Sequence, residues 1–175
     1  MSRPEETGLH EHRRDAPVSV ACSVVTVSDT RTLETDTGGA RVVELLEGGG
    51  HPVPHRDLVP DDPDRIEAAL SAALGRPEVR GVIFTGGTGV APRDRTPDTL
   101  EPLLDRVVPG FGELFRALSY EEIGSAALLS RALAGLVDGR VVFALPGSRG
   151  AIQLALTKLV LPELGHLAAE AVKTR

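Results

Sequence analysis

Short runs of β-branched and apolar residues alternate along the chain with segments whose apolar residues recur at helical spacing. Residues 18–27 and 79–85 are apolar on both faces, a pattern typical of strands buried in a parallel sheet. Residues 51–59 and 140–145 predict two further strands, and the prolines of residues 51–59 place that strand near a sheet edge. Because strands alternate with helices, the predicted fold class is α/β: a three-layer α/β/α domain around a mostly parallel sheet.

The first two helices are predicted from residues at their ends. Asp36-Thr37-Gly38 begins a helix that runs to about Glu47, where three glycines end it. Asp62 and Pro63 are expected as the N-cap and the first residue of the second helix. The apolar residues of that helix fall on one face, as in a helix packed on a sheet: Ile66, Ala69, Leu70, Ala73 and Leu74.

Four further helical segments are predicted in the second half of the chain. Helices are predicted over residues 97–104, 110–122 and 125–133. A closing helix is predicted from Ser148 onward, and Pro162 is expected to kink or divide it. Phe111 and Phe115 share one side of the 110–122 helix, where they belong either to the core or to a subunit contact.

The amino-terminal residues differ in composition from the rest of the chain. Residues 1–16 are polar and mixed in charge, so they cannot bury enough apolar surface to offset the entropy cost of ordering. We therefore expect a disordered polar tail at 1–16 and a single domain at 17–175. His10 and His12 in the tail are either two solvated histidines or a metal site.

Charge and composition exclude several classes of function. The formal net charge of −6 argues against a basic surface for nucleic acid or anionic lipid. The single cysteine, Cys22, excludes an internal disulfide framework, and its place inside a predicted strand favours a buried, inert thiol. The sequence has no apolar run near the roughly 20 residues of a membrane span and no secretory signal, so we expect a cytoplasmic protein.

The most informative loop is Gly86-Gly87-Thr88-Gly89, which follows the third predicted strand. Ligands of open α/β sheets bind beyond the carboxyl ends of the strands. Glycines let the backbone adopt positive φ and point successive N–H groups into one concavity, which suits a phosphate group. A tight loop without a ligand is the alternative. The sequence that follows, Val90-Ala91-Pro92, fits neither a P-loop nor a dinucleotide-binding fingerprint.

Carboxylates lie close to this loop in the predicted fold. Asp94 is either a solvated loop residue or a Mg²⁺ ligand, since Mg²⁺ prefers oxygen ligands from carboxylates and phosphates. Asp61 follows another strand and is either a turn or capping residue or the partner of Asp94 across the crevice. Thr96 or Asp98 is expected to cap a helix that begins at Pro97.

Three further places admit two interpretations each. Glu113 and Arg116 lie one helical turn apart and form an ion pair or belong to a binding site. Arg131, next to Ser130, either donates hydrogen bonds to a phosphate or is a solvated side chain. The segment Pro146-Gly147-Ser148 is an anion-binding strand-to-helix connection or a simple turn.

Separated motifs, in the same order along the chain, make the sequence similar to molybdenum cofactor biosynthesis proteins of the MoaB/MogA type. The likeness covers about residues 18–170, and residues 115–124 resemble the MoaB branch more than the MogA branch. The motifs are TGGTG (85–89), RDRTPD (93–98), PGFGELFR (109–116), SYEEIG (119–124), LSR (129–131) and LPGS (145–148), together with TVSD (26–29) and DTG (36–38).

The resemblance implies a reaction and the residues that carry it. Members of the family use Mg²⁺ to transfer AMP from ATP to the terminal phosphate of molybdopterin, releasing pyrophosphate. The product then serves a molybdenum insertion protein. The resemblance assigns Asp61 and Asp94 as catalytic residues and Mg²⁺ ligands. It assigns substrate or nucleotide contacts to Ser28, Asp29, Gly86, Gly87, Thr88, Gly89, Glu113, Arg116, Ser119, Ser130, Arg131, Pro146, Gly147 and Ser148.

The resemblance also bears on activity and assembly. Some relatives in the MoaB branch lose acidic residues at these motifs, whereas this chain keeps Asp61 and Asp94. An active adenylyltransferase is therefore favoured over a non-catalytic molybdopterin-binding carrier or assembly component. A related domain acting on another nucleotide or pterin is a third, more remote interpretation. The family assembles as trimers, or as hexamers in the MoaB branch, so a homotrimer or hexamer is expected.

Overall fold

One mixed sheet organises the protein. The computed structural model describes residues 17–173, and the predicted tail at 1–16, with His10 and His12, lies outside them. The sheet has six strands in the order β2-β1-β3-β6-β5-β4. In chain order the strands are β1 (Cys22–Val27), β2 (His55–Val59), β3 (Gly81–Thr85), β4 (Arg106–Val107), β5 (Leu133–Val137) and β6 (Arg140–Leu145). The strands β2, β1, β3 and β6 pair in parallel, whereas β5 and β4 pair antiparallel.

Helices cover both faces of the sheet. They are α1 (Thr37–Gly48), α2 (Pro63–Leu74), α3 (Thr96–Leu100), α4 (Pro109–Ile123), α5 (Arg149–Ala155) and α6 (Leu161–Glu170). Two 3₁₀ turns follow α3 and α4, at Glu101–Leu103 and Gly124–Leu129. A π-helical turn, Leu156–Val160, separates α5 from α6. The three-layer α/β/α fold with a mostly parallel sheet is confirmed, and β2 lies at an edge as its prolines indicate.

The helix ends agree with the sequence signals. Asp36 caps α1, with Oδ1 accepting from the N–H of Gly39 at 2.8 Å. Asp62 caps α2, with Oδ1 accepting from the N–H of Arg65 at 3.2 Å. Pro162 lies in the first turn of α6, directly after the π-helical turn, so the closing helix is divided as predicted.

The core consists of two apolar clusters, one on each face of the sheet. The larger cluster joins α1, α4, α5 and α6 to the sheet, and the smaller one joins α2 to it. Phe111 and Phe115 are buried in the larger cluster, and the ring of Phe111 lies 5.3 Å from that of Phe143. The core interpretation of these two phenylalanines is therefore correct.

The predicted 125–133 helix is wrong. A 3₁₀ turn ends at Leu129, and Leu133 begins strand β5. Gly135 in this strand packs so tightly that a Cβ there would lie 2.6 Å from the carbonyl oxygen of Arg106 in β4. Pairing with β4 and β6 thus decides the conformation of a segment whose leucine and alanine content favours helix.

Burial makes Cys22 unreactive. The side chain is fully buried, and burial raises the pKa of its thiol to about 12. The thiol is therefore protonated at neutral pH, in agreement with the sequence-based interpretation. Across residues 17–173, every helix is too short or too polar to cross a bilayer.

A buried histidine fastens the segment that leads into β1. The strand begins at Cys22, later than predicted, but Val20 is already buried. The Val20 N–H donates to Nδ1 of His51 at 3.0 Å, and His51 is only 5% exposed. Burial lowers the pKa of His51, which therefore stays neutral and keeps Nδ1 as an acceptor.

We predict that His51 makes folding stability dependent on pH. A folded-state pKa below the unfolded value of about 6.5 means that the unfolded chain binds the proton more readily. The contribution of His51 is present above about pH 6.5 and is lost as the pH falls below it. Urea unfolding between about pH 7.5 and 5.5 measures this loss. His51→Gln, which keeps a side-chain acceptor, is expected to flatten the profile, whereas His55→Gln, which removes the partner of Glu78, leaves it in place. An unflattened profile in His51→Gln contradicts the assignment.

Candidate functional site

Loops from four parallel strands meet at one edge of the sheet, where their carboxyl ends lie together. The loops after β1, β2, β3 and β6 line two neighbouring clefts. The acidic cleft, of about 190 Å³, is lined by Val27, Ser28, Asp29, Thr30, Asp61, Gly87, Arg93 and Asp94. The glycine cleft, of about 380 Å³, is lined by Gly86, Gly87, Thr88, Gly89, Asp94, Ala126, Leu129, Ser130, Pro146 and Gly147.

Three carboxylates from three loops line the acidic cleft. The N–H of Asp61 donates to Oδ1 of Asp29 at 2.9 Å, which joins the loops after β1 and β2. Oδ1 of Asp61 accepts from the N–H of Arg95 at 2.9 Å, which joins the loop after β2 to the residue that follows Asp94. Asp61 and Asp94, which are far apart in sequence, are thus held on one cleft through the hydrogen bond of Asp61 to the neighbouring residue, Arg95.

Each of these two carboxylates keeps one oxygen available. Asp61 uses Oδ1 for Arg95, and Asp94 uses Oδ2 to accept from the N–H of Ala91 at 3.0 Å. Among residues 17–173, no hydrogen bond reaches Oδ2 of Asp61 or Oδ1 of Asp94. That part of the chain also contains no group of three or more acidic, histidine or cysteine side chains close enough to enclose a metal. Two available carboxylate oxygens without a complete cage suit Mg²⁺, which takes one or two carboxylates and completes its shell with water and substrate phosphates.

The electrostatics of the acidic cleft favour a cation. Burial raises the pKa of Asp61, and the negative charges of Asp94 and Asp29 raise it further. The hydrogen bond from the Arg95 N–H and the charge of Arg93 oppose this rise. The ionised form of Asp61 is therefore disfavoured by its surroundings, and a bound cation would relieve that cost.

The glycine loop packs too closely for side chains. Gly86 and Gly87 have φ of +100° and +64°, a region that favours glycine. A Cβ on Gly86 would lie 2.3 Å from the carbonyl oxygen of Val27, and one on Gly87 would lie 2.5 Å from Oδ2 of Asp61. Within residues 17–173, the N–H groups of residues 87–89 donate no hydrogen bond. Three successive free donors beside a cleft are suited to an anion.

Thr96 binds this loop and Asp98 binds Arg131, so neither caps a helix and the predicted cap is wrong. Oγ1 of Thr96 donates to the carbonyl of Gly86 at 2.9 Å, and its N–H donates to that of Gly87 at 3.1 Å. Asp98 forms an ion pair with Arg131. Helix α3 begins after Arg95 without a side-chain cap, because both expected capping groups bind other partners.

The remaining loop residues of the prediction have distinct surroundings. Ser28 lines the acidic cleft, and its Oγ accepts from the N–H groups of Thr30 and Arg31. Ser130 lines the glycine cleft, and its buried Oγ has no hydrogen-bond partner among the described residues. Ser148 caps α5, with Oγ accepting from the Ala151 N–H at 3.3 Å. Ser148 lines neither cleft, so of the Pro146-Gly147-Ser148 segment only the first two residues reach the site.

The predicted residues of α4 are not brought to these clefts. Glu113, Arg116 and Ser119 line neither the acidic cleft nor the glycine cleft, and their binding role stays a prediction. The alternative ion pair between Glu113 and Arg116 is absent from the described part of the chain. The guanidinium of Arg116 instead curls back over Gly112, where a Cβ would lie 3.0 Å from Nη1.

Two arginines have environments that sequence reasoning did not assign. Arg93 is the basic side chain among the residues that line the acidic cleft, and its position next to Asp94 in the RDRTPD motif was the available signal. Arg131 is not a solvated side chain, because its guanidinium is bonded to the segment that carries Asp94. No local pattern around Arg131 reveals those partners, since they lie more than thirty residues earlier in the chain.

We predict that Gly87→Ala damages the site and lowers stability. The new Cβ would meet Oγ1 of Thr96 at 2.4 Å and Oδ2 of Asp61 at 2.5 Å, at a positive φ. Such strain costs on the order of 1–3 kcal/mol. The free energy of unfolding in urea measures the cost. Gly110→Ala is the matched control, because a Cβ there meets nothing within 4 Å. Equal stability of the two variants contradicts the tight packing described for Gly87.

Known proteins resemble this chain over nearly its whole length. Residues 23–166 match the sequence profile of a family described as "Probable molybdopterin binding domain". Molybdenum cofactor biosynthesis protein B of Halalkalibacterium halodurans is 47% identical over 168 residues, which are 95% of this chain and 99% of that protein.

Solved structures of such proteins share the fold. The crystal structure of a molybdenum cofactor biosynthesis protein B is 49% identical and superimposes with a TM-score of 0.86, covering 89% of this chain and 98% of that one. The tungsten cofactor synthesizing protein MoaB from Pyrococcus furiosus is 36% identical with a TM-score of 0.81, covering 90% of this chain and all of the other. By profile, sequence identity and fold, the chain belongs to the MoaB family of molybdenum cofactor biosynthesis proteins.

Proposed function

We propose that this MoaB-family protein transfers AMP from ATP to the terminal phosphate of molybdopterin, with Mg²⁺ as cofactor. The observation that carries the proposal is the presence of Asp61 and Asp94 on one cleft, directly beside the glycine loop. The profile described as a probable molybdopterin binding domain supports the pterin as substrate. The names of the relatives support a place in molybdenum cofactor biosynthesis, where the product would pass to a molybdenum insertion protein.

The proposed step needs no protein nucleophile. An oxygen of the pterin phosphate attacks the α-phosphorus of ATP, one P–O bond forms, and the bond between the α-phosphorus and the bridging oxygen breaks. Pyrophosphate leaves with the electrons of that bond, and no proton has to move because the attacking phosphate is already ionised at neutral pH. Catalysis then depends on positioning the two anions and stabilising their charge.

The glycine cleft is suited to hold one of the anionic groups. The free N–H groups of residues 87–89 would donate to phosphate oxygens, and the unpartnered Oγ of Ser130 offers a further polar contact. Ala126, Leu129 and Pro146 add apolar surface to the same cleft. This combination of donors and apolar wall suits a ligand with a phosphate on a ring system.

The acidic cleft requires a cation before it can approach a triphosphate. Asp29, Asp61 and Asp94 would repel a bare polyphosphate, and Arg93 alone does not balance three carboxylates. Asp61 and Asp94 would hold Mg²⁺ through the oxygens that have no other hydrogen-bond partner among residues 17–173. When bound, the ion would neutralise phosphate charge on the substrate.

We predict that Asp94→Asn and Asp61→Asn each lower the turnover of molybdopterin adenylylation by about 10²-fold or more, since each removes a charged ligand of the ion that would neutralise phosphate charge. Asp64→Asn removes the same charge from the first turn of α2, outside both clefts, and is expected to keep full activity. Formation of AMP-bearing pterin and release of pyrophosphate, with and without Mg²⁺, measure the reaction.

Two results would count against the proposal. Wild-type protein that binds molybdopterin but forms no product indicates a non-catalytic carrier. Full activity of both site variants removes the carboxylates from the mechanism.

Asp61→Asn is expected to fold at least as stably as wild type at pH 7. The raised pKa of Asp61 in the wild type means that its ionised carboxylate opposes folding.

We also propose that the chain assembles as a homotrimer or a hexamer. Among the described residues, five of the nine exposed large hydrophobic side chains lie on α4 and the 3₁₀ turn after it: Leu114, Tyr120, Ile123, Leu128 and Leu129. Such a concentration is typical of a contact surface. Size-exclusion chromatography with light scattering is expected to give three or six chains per particle, and a monomer contradicts the proposal.

A further inference from the structure

Arg131 binds three separate points of the segment that carries Asp94. Its Nε donates to the carbonyl of Gly89 at 2.7 Å, and its Nη2 donates to the carbonyl of Asp94 at 2.5 Å. Its Nη1 donates to both carboxylate oxygens of Asp98 at 2.8 Å. The backbone N–H of Arg131 adds a bond to the carbonyl of Thr88 at 3.0 Å. One residue thus spans the loop before, at and after Asp94.

The guanidinium has little capacity left for a ligand. All three of its nitrogens donate, Nε and Nη2 to carbonyl groups of the loop and Nη1 to the carboxylate of Asp98. The charge of Arg131 is matched by Asp98. Both side chains lie outside the acidic and glycine clefts and line a third cavity, of about 410 Å³, that Asp94 also lines. These contacts argue against Arg131 as a direct hydrogen-bond donor to a substrate phosphate. They indicate that Arg131 acts through the loop.

The loop needs such support because little else fixes it. Residues 90–93 are exposed, and the hydrogen bonds of Asp94 to Ala91 are local to that turn. The connections from Asp94 and its neighbours to the rest of the protein are the Arg95 N–H bond to Asp61, the Thr96 bonds to the glycine loop and the Arg131 contacts. Removing Arg131 leaves the peptide of Asp94 fastened on one side only.

We infer that Arg131 is a positioning residue that holds the Asp94 carboxylate opposite Asp61, and this inference rests on the proposed function. The planar fork of arginine makes this set of bonds, and lysine, with one ammonium group, cannot reproduce it. Charge alone is therefore insufficient at this position. A residue that held a substrate phosphate would behave differently, since lysine also binds phosphate as a point charge.

The test compares Arg131→Lys with wild type in steady-state adenylylation and in amide hydrogen exchange of the ligand-free protein. We expect Arg131→Lys to lower kcat by about 10- to 100-fold with little change in KM for molybdopterin. We also expect exchange of the hydrogen-bonded amides of residues 91, 94, 95 and 96 to rise about tenfold without a change in the sheet. Asp98→Asn, which keeps the arginine and removes half of the ion pair, is expected to give a smaller rise. Arg76→Lys alters a surface pair with Asp57 and is expected to change neither measurement.

The outcomes separate this inference from the proposed function. Unchanged exchange at residues 91, 94, 95 and 96 in both Arg131→Lys and Asp98→Asn overturns the positioning role, as does a raised KM with wild-type kcat. If the wild-type protein forms no product, the proposed function fails, and the exchange measurement still decides whether Arg131 holds the loop. If Arg131→Lys does not fold, the exchange of Asp98→Asn decides the same question.

Discussion

The hydrogen bond from the Arg95 N–H to Asp61 is the contact on which the site depends. The segment after β3 has no regular secondary structure until α3, so its own backbone does not determine where Asp94 points. Side-chain contacts do so instead: Asp61 and Arg131, from other parts of the chain, bind Arg95 and the carbonyls of Gly89 and Asp94, and Thr96 at the start of α3 binds Gly86. The sheet supplies the rigid frame, because β1, β3 and β6 run parallel and end at the same edge.

Two carboxylates at this edge, buried Asp36 and half-buried Asp61, have different surroundings. The difference sets a structural carboxylate apart from one proposed to bind a cation. Burial alone would raise the pKa of Asp36, but hydrogen bonds from Thr26, Gly39 and Arg56 outweigh it and lower the pKa. Asp36 is satisfied by the protein and anchors α1 and β2 to the end of β1. The pKa of Asp61 is raised instead, since burial and the charges of Asp94 and Asp29 outweigh the Arg95 N–H bond and the charge of Arg93. An unsatisfied charge of this kind supports the proposed cation site.

The sequence predicts most of the frame because local signals and the fold agree there. Asp36 and Asp62 cap the helices expected of them, and the buried strands follow their β-branched runs. The signals fail where tertiary contacts override them. Residues 133–137 become a strand through pairing with β4 and β6. The hydroxyl of Thr96 donates to the carbonyl of Gly86 in the glycine loop instead of capping a helix. The partners of Arg131 could not be predicted, because they depend on a fold that brings distant loops together.

Divalent-ion affinity across a double-mutant cycle tests most directly whether Asp61 and Asp94 act as one site. Mn²⁺ binding in the presence of ATP, followed by electron paramagnetic resonance, would be compared in wild type, Asp61→Asn, Asp94→Asn and the double variant. If both carboxylates serve one ion, each single change is expected to cost nearly as much affinity as the double change, because their effects are coupled. Independent losses that add in the double variant would contradict a shared site.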